Sequence, residues 1–320
     1  MDRRTLLGMT AGGLVAACGG VRREPVYRWT RLTEAAGFPG SYNFPVHVST
    51  DRRFVALHPE GTWSSRDGRV WMKEGMPPSG TNSAYLPLVQ HGEGAWAIGQ
   101  LQGDYRGFRI DPLVKRTLDY RGWTDLGRSD ALPKLVFAAC ASFGGHLWLL
   151  GGFDGRRETN GVWRSVNGLR WERVLAEAPW SPRAAAKAVA FDGRLWLLGG
   201  GVIDGAQAND AWSSGDGREW RRDVAVLADP APSGFTPQVF DRRLWLVAAN
   251  RAGGFGSAML VLGEGRSFDR VEAPWSPRGG VATWVADGRM YLTGGKYSEQ
   301  SEGEPRFIYS NDVWMMTRTG

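Results

Sequence analysis

The feature that most constrains this chain is a repeat: a tight turn followed by a bulky apolar strand, returning six times. Its strongest copies are Gly144-Gly145-His146-Leu147-Trp148-Leu149-Leu150-Gly151-Gly152 and Asp192-Gly193-Arg194-Leu195-Trp196-Leu197-Leu198-Gly199-Gly200. It returns as Asp241-Arg242-Arg243-Leu244-Trp245-Leu246-Val247 and Asp287-Gly288-Arg289-Met290-Tyr291-Leu292-Thr293-Gly294-Gly295, with weaker copies around Phe54 and Trp96. The aromatic centres Phe54, Trp96, Trp148, Trp196, Trp245 and Tyr291 lie 42, 52, 48, 49 and 46 residues apart. A period of that size marks one supersecondary unit per repeat, and such units bury a core only by packing on one another.

A second pattern follows each centre. Trp63-Ser64-Ser65-Arg66-Asp67-Gly68-Arg69-Val70-Trp71 is matched by the pairs Trp163/Trp171 and Trp212/Trp220 at the same eight-residue interval, and by Leu260/Phe268 with altered residues. Asp67-Gly68, Asn167-Gly168 and Asp216-Gly217 are hairpin signals, because Asn or Asp followed by Gly tolerates positive φ in a tight turn. Each unit therefore predicts four strands. This absorbs most of the 16 Trp and 45 Gly in the 320 residues, and such repeating aromatics are expected to be packing between units.

The Gly-Gly that ends an apolar strand, followed by a loop and Asn209-Asp210-Ala211-Trp212 or Asn311-Asp312-Val313-Trp314, resembles the kelch repeat of the galactose-oxidase-like superfamily. The resemblance covers nearly all of residues 27–320 and is weakest in the second unit. There the outer hairpin is expected over roughly 108–123, longer and without an Asp-Gly turn. The resemblance implies an all-β fold, a six-bladed β-propeller of four-stranded blades. The last unit stops one strand short of its expected partner for Trp314. Trp29-Thr30-Arg31-Leu32 matches Trp171-Glu172-Arg173-Val174, so the N-terminal strand is expected to complete the last blade and remove a free edge. A closed monomer is expected.

Residues 1–17 read as an export signal: the basic Met1-Asp2-Arg3-Arg4, then a short, mildly apolar stretch too brief to span a bilayer as a helix. Val15-Ala16-Ala17-Cys18-Gly19 resembles a bacterial lipobox, which implies a lipid on Cys18, with 18–26 as linker and a place in the cell envelope. Arg3-Arg4-Thr5-Leu6-Leu7 also resembles a twin-arginine signal. The only other cysteine is Cys140, so a lipidated Cys18 leaves no intramolecular disulfide. The net charge of +6 falls to +5 without residues 1–17. Charges of both signs are interspersed, and no nucleic-acid motif is present, so no nucleic-acid partner is expected.

Strand parity places the short turns of every blade on one face and the longer loops and blade-to-blade connections on the other. The loop face is the expected working face. Two of its connections are identical, Ala178-Pro179-Trp180-Ser181-Pro182-Arg183 and Ala273-Pro274-Trp275-Ser276-Pro277-Arg278. They support two readings: a sugar or carboxylate held between Trp180 or Trp275 and Arg183 or Arg278, or a connector whose Arg is tied to nearby carbonyls. The loop 296–311, with Lys296 and Tyr297, is a further candidate for binding.

His47, His58, His91 and His146 fall in different units without metal-ligand spacing, so neither a metal nor a cofactor is expected. The copper chemistry of galactose oxidase lacks its residues here. Partial likenesses to sialidases (Ser65 to Trp71, Phe108-Arg109-Ile110-Asp111) and to the periplasmic kelch-type epimerase of N-acetylneuraminate imply at most an enzyme on anionic sugars. The expectation is a binding module for a carbohydrate or protein partner, with that enzyme as the alternative.

Overall fold

The computed structural model describes residues 25–104, 106–250, 254–263, 266–299 and 306–319. The alternating apolar segments and their Asp-Gly turns form six four-stranded antiparallel sheets, the blades of a β-propeller, and no helix occurs among the described residues. Blade one comprises Val46–Val48, Phe54–His58, Gly61–Ser65 and Met72–Gly75. Blade two comprises Leu88–His91, Gly94–Asp104, Gly107–Thr117 and Thr124–Arg128, and blade three Ala139–Phe143, His146–Phe153, Glu158–Ser165 and Glu172–Leu175. Blade four is built of Lys187–Phe191, Arg194–Leu198, Ala211–Ser214 and Trp220–Val224; blade five of Thr236–Phe240, Arg243–Val247, Met259–Leu262 and Phe268–Val271. Blade six takes Ala282–Ala286, Arg289–Thr293 and Val313–Thr319 from one end of the chain and Val26–Thr33 from the other.

All six aromatic centres are buried. They sit on second strands, where each sheet is sandwiched between two neighbours, and each indole solves its polar problem locally. Trp96, Trp148, Trp196 and Trp245 donate Nε1–H to the carbonyl five residues earlier, at 2.9–3.1 Å. A buried Trp then loses no hydrogen bond on leaving water. The ring of Trp148 lies against Gly217 of the next blade, where a Cβ would come within 2.1 Å of it. The glycine is thus required twice, by its φ of 76° and by the indole.

The third-to-fourth turns of blades one, three and four share a pattern in which an Asp or Asn side chain accepts two successive N–H groups. In blade one, Gly68 N–H donates to Ser65 Oγ (2.9 Å), and Arg69 and Val70 N–H donate to Asp67 Oδ1 (2.8 and 3.1 Å). Blade two departs from the expectation drawn from its sequence: it has the same turn. Tyr120 N–H donates to Thr117 Oγ1 and Arg121 and Gly122 N–H to Asp119 Oδ1. Tyr120 takes the glycine's place at φ 63°, held there by burial of its ring beside His47. The extra length of blade two lies elsewhere, in the paired 11-residue strands Gly94–Asp104 and Gly107–Thr117, which run out onto the loop face.

The seam in blade six pairs Val26 with Thr319 through to Thr33 with Val313. Trp314 faces Arg31, whose guanidinium stacks 5.7 Å from the ring centre, as Arg173 does over Trp163 in blade three at 5.4 Å. A sheet assembled from both termini therefore repeats the contacts of a sheet made from continuous chain. Trp29 pairs with Met316, which makes Trp29 and Trp314 diagonal neighbours. Residues 1–17, where the sequence leads one to expect an export signal, and Cys18 lie outside the described residues. No described helix is long and apolar enough to cross a membrane.

Candidate functional site

The two identical connectors are structural ties. Arg183 is 1% exposed; it donates to Ser181 O, Ser181 Oγ and Gly199 O and forms a two-point pair with Asp210 (2.6 and 3.4 Å). Arg278 repeats this with Ser276 O, Gly294 O and Asp312 (2.5 and 3.2 Å). The Asp of each Asn-Asp-x-Trp segment is thus the arginine's partner, and it also accepts Nε1–H of Trp212 or Trp314. Burial alone would raise the Asp210 pKa, but the bonds from Arg183 and Trp212 and the guanidinium charge outweigh it and hold the carboxyl below the usual range.

Trp180 and Trp275 are 1% and 3% exposed. Trp180 packs edge-on against Trp220, and Trp275 against Trp29 at 4.4 Å, with Trp314 at 6.3 Å. Neither ring offers a face to a ligand; Arg183 uses all five of its donors, and Arg278, 2% exposed, uses four. The structure favours the connector reading over the stacking one: Trp180, Arg183, Trp275 and Arg278 brace the blades, because each indole is packed edge-on against another and each arginine is tied to carbonyls and a carboxylate. The carbonyl ties are among the sequence expectations; the carboxylate, 27 positions from Arg183, is not.

Lys296 and Tyr297 open an added hairpin, Lys296–Glu299 paired with Arg306–Tyr309. The Lys296 ammonium sits 4.5 Å from the ring centre of Tyr42 and 4.7 Å from that of Phe307, and burial lowers its pKa. Lys296 is therefore held in an aromatic cage, while Tyr297 is only half-buried. His47 and His58 are buried, and burial pushes the His47 pKa down to about 4. Among the described residues no cluster of His, Cys, Asp and Glu is arranged to hold a metal.

At the mouth of the central channel the blades are stitched by backbone. Phe137 N–H donates to Tyr85 O, Ala185 N–H to Phe137 O, Gly280 N–H to Gly234 O and Asn43 N–H to Gly280 O, all at 2.7–3.0 Å. Each residue that precedes a first strand here, Asn43, Phe137, Ala185, Gly234 and Gly280, has φ between 53° and 70°. Inside, a space of about 370 Å³ is lined by connectors and first strands, with Cys140 and Lys187 on its wall.

A groove on the loop face lies over blades two and three. Two contiguous cavities, about 700 and 340 Å³, share Lys134 and Asp154. The projecting hairpin of blade two supplies Arg106, Phe108 and Arg109, and blade three supplies Arg156, Arg157, Trp163 and Arg173. The turn 154–157 aims its two arginines outward because Asp154 Oδ1 accepts the N–H groups of Arg156 and Arg157 (2.8 and 2.9 Å). Those bonds, chiefly the one from Arg157, keep the carboxyl of Asp154 below the usual range. Glu158 is likewise occupied, accepting Ile203 N–H at 2.9 Å. The side chains of Lys134, Arg156 and Arg157 form no hydrogen bond or ion pair among the described residues. In the sequence this groove is marked only by the adjacent Arg156 and Arg157.

A closed ring of six four-stranded antiparallel blades defines the class: a six-bladed β-propeller. No protein-family model matches the chain, and no curated protein does. Among solved structures, one titled "Structure of YjhT" is similar with a TM-score of 0.68 and 12% identity, over 89% of this chain and 97% of that chain. At that identity the likeness is one of fold.

Proposed function

We propose that this chain is an exported, lipid-anchored, kelch-type propeller that works as a binding module for an acidic carbohydrate, held in the groove over blades two and three. The observation that carries the reading is the trio Lys134, Arg156 and Arg157, three exposed cations turned to one groove without a partner among the described residues. Beside them Phe108 and Trp163, the latter with Arg173 stacked on its ring, line the groove together with Thr159 and Asn160. Sugar rings combine an apolar face with a rim of hydroxyls, which suits such a lining. An enzyme built on Arg183 and Arg278 has no cation left for a substrate, and no observation favours it.

On a glycan array holding neutral, uronate-containing, sialylated and sulfated glycans, the mature chain is expected to retain acidic members selectively, less so as salt rises. Lys134→Ala/Arg156→Ala/Arg157→Ala should weaken binding roughly tenfold or more per lost charged contact. Capture of neutral glycans alone, or unchanged binding by the triple variant, would overturn the reading.

The topology gives the anchor a direction. Tyr27 Oη and Arg318 Nη1 both bond Asp241 (2.8 and 2.9 Å), in the first-to-second turn of blade five. The outer strand of blade six thus begins on the turn face, so a lipid on Cys18 draws that face to the bilayer and leaves the groove outward. Cys18→Ser is expected to move the exported protein from the membrane to the soluble fraction. Persistence in the membrane fraction counts against the anchor.

A further inference from the structure

Lys187 is out of pattern with its own repeat. It pairs with Leu198, two residues beyond the aromatic centre of its blade. The matching first-strand positions are Val46 opposite Ala56, Ala139 opposite Leu150, Thr236 opposite Val247 and Ala282 opposite Thr293, none of them charged. It is also one of only five lysines in a chain that otherwise uses arginine, the others being Lys73, Lys115, Lys134 and Lys296. Lys73 lies over Trp63, Lys115 pairs with Asp125 and Lys296 is caged by Tyr42 and Phe307. Lys187 lines the central channel instead.

The channel wall explains what such an amine does. Its lining, largely Ala, Pro, Val and Leu with Asn43, Ser83 and Tyr85 toward the loop face, contains no carboxylate. The titratable groups lining it with Lys187 are Tyr85 and Cys140, and burial pushes the Cys140 thiol up to about 12. The thiol supplies no negative charge near neutrality. Lys187 forms no hydrogen bond or ion pair among the described residues, and burial lowers its pKa from the ordinary lysine value. An amine whose ammonium form is disfavoured by burial, with no carboxylate beside it, is the better nucleophile toward carbonyl carbon.

We propose that Lys187 captures small uncharged aldehydes or ketones in the central channel as a reversible imine. The nitrogen lone pair adds to the carbonyl carbon, the carbinolamine loses water, and hydrolysis returns amine and carbonyl compound. The step needs no oxidant, reductant or cofactor. An uncharged compound is specified because the channel holds no second cation for an acid and no carboxylate for a base. A small one is specified by the space of about 370 Å³.

The test uses glyceraldehyde with cyanoborohydride on the folded chain, followed by peptide mass mapping of all five lysines between pH 6 and 8.5. Lys187 is expected to be alkylated at pH 6 on the order of tenfold faster than exposed Lys134, for each pKa unit that separates the two amines. Its rate should climb less steeply with pH than that of Lys134. A dextran polyaldehyde, a polymer far larger than the space of about 370 Å³, should label Lys134 and spare Lys187. An unmodified Lys187, or one that follows Lys134 in rate, pH profile and response to the polymer, would overturn the proposal. Because the trapping is read on the unaltered protein, no variant need fold for it to count.

Discussion

A chain lacking Val26–Thr33 is expected to lose cooperative folding. That strand supplies seven register pairs to blade six, and its removal bares the edge Val313–Thr319. It also strips cover from Met316 and Trp275, which are buried in the seam cluster with Tyr27 and Trp29 packed against them. Leu32 leaves a second buried cluster, that of Phe54, Trp71 and Trp284. Each large core side chain lost costs about 2–5 kcal/mol, and a domain has only about 5–15 kcal/mol to lose. An open edge of this kind also templates pairing with a second chain. The truncated protein should therefore elute as aggregate or as swapped oligomer and melt over a broad range. Addition of a peptide spanning residues 25–33 should restore a sharp transition. A truncated monomer that melts within a few degrees of the full chain would refute the role assigned to the seam.

The second large effect is expected at the connectors. Asp210→Asn keeps the shape of the side chain but leaves the Arg183 cation buried without its counter-charge, and breaking such a pair from one side costs about 3–5 kcal/mol. The pair Arg183→Met/Asp210→Leu removes both charges and should regain most of the loss, since no charge then stays buried. The pH dependence has a definite sign. The Asp210 carboxyl is held below its usual range in the folded chain. Its contribution is therefore complete above the unfolded value, about 3.9, and is lost as pH falls through the lower folded value. Thermal melts from pH 6 down to about 2 should show a steeper acid loss for the parent protein than for Asp210→Asn. Equal slopes would show that this carboxylate is not what links the connector to pH.

The repeating positions were legible before any coordinates because each blade places them in the same surroundings. Trp148, Trp196 and Trp245 all meet a neighbouring sheet on the second strand and all bond a carbonyl five residues back. A residue type recurring at that period reports the environment it recurs in. Positions that break the period were legible only as exceptions, and the exception did not always carry its reason. Tyr120 hid an ordinary turn because its positive φ is held by packing against His47, a contact between blades. Arg183 and Arg278 had the chemistry of ligand-binding residues, and only their depth and the carboxylates beside them decided otherwise. Lys187 stood in plain view as a charge on a first strand, but its empty surroundings are made by residues from the connectors and first strands of other blades.

By itself, then, the sequence determined the number of blades, the order of strands within each and the closure of the ring by the N-terminal strand. These follow from turn chemistry and from apolar spacing, which act between residues close in the chain. Tertiary structure alone decided which polar side chains are consumed and which remain available. Arg183 and Arg278 are spent on Asp210 and Asp312, whereas, among the described residues, Lys134, Arg156 and Arg157 stay unpaired over the groove. That distinction depends on which distant carboxylate each cation meets and on how much water it keeps, and both are set by the packing of blade on blade.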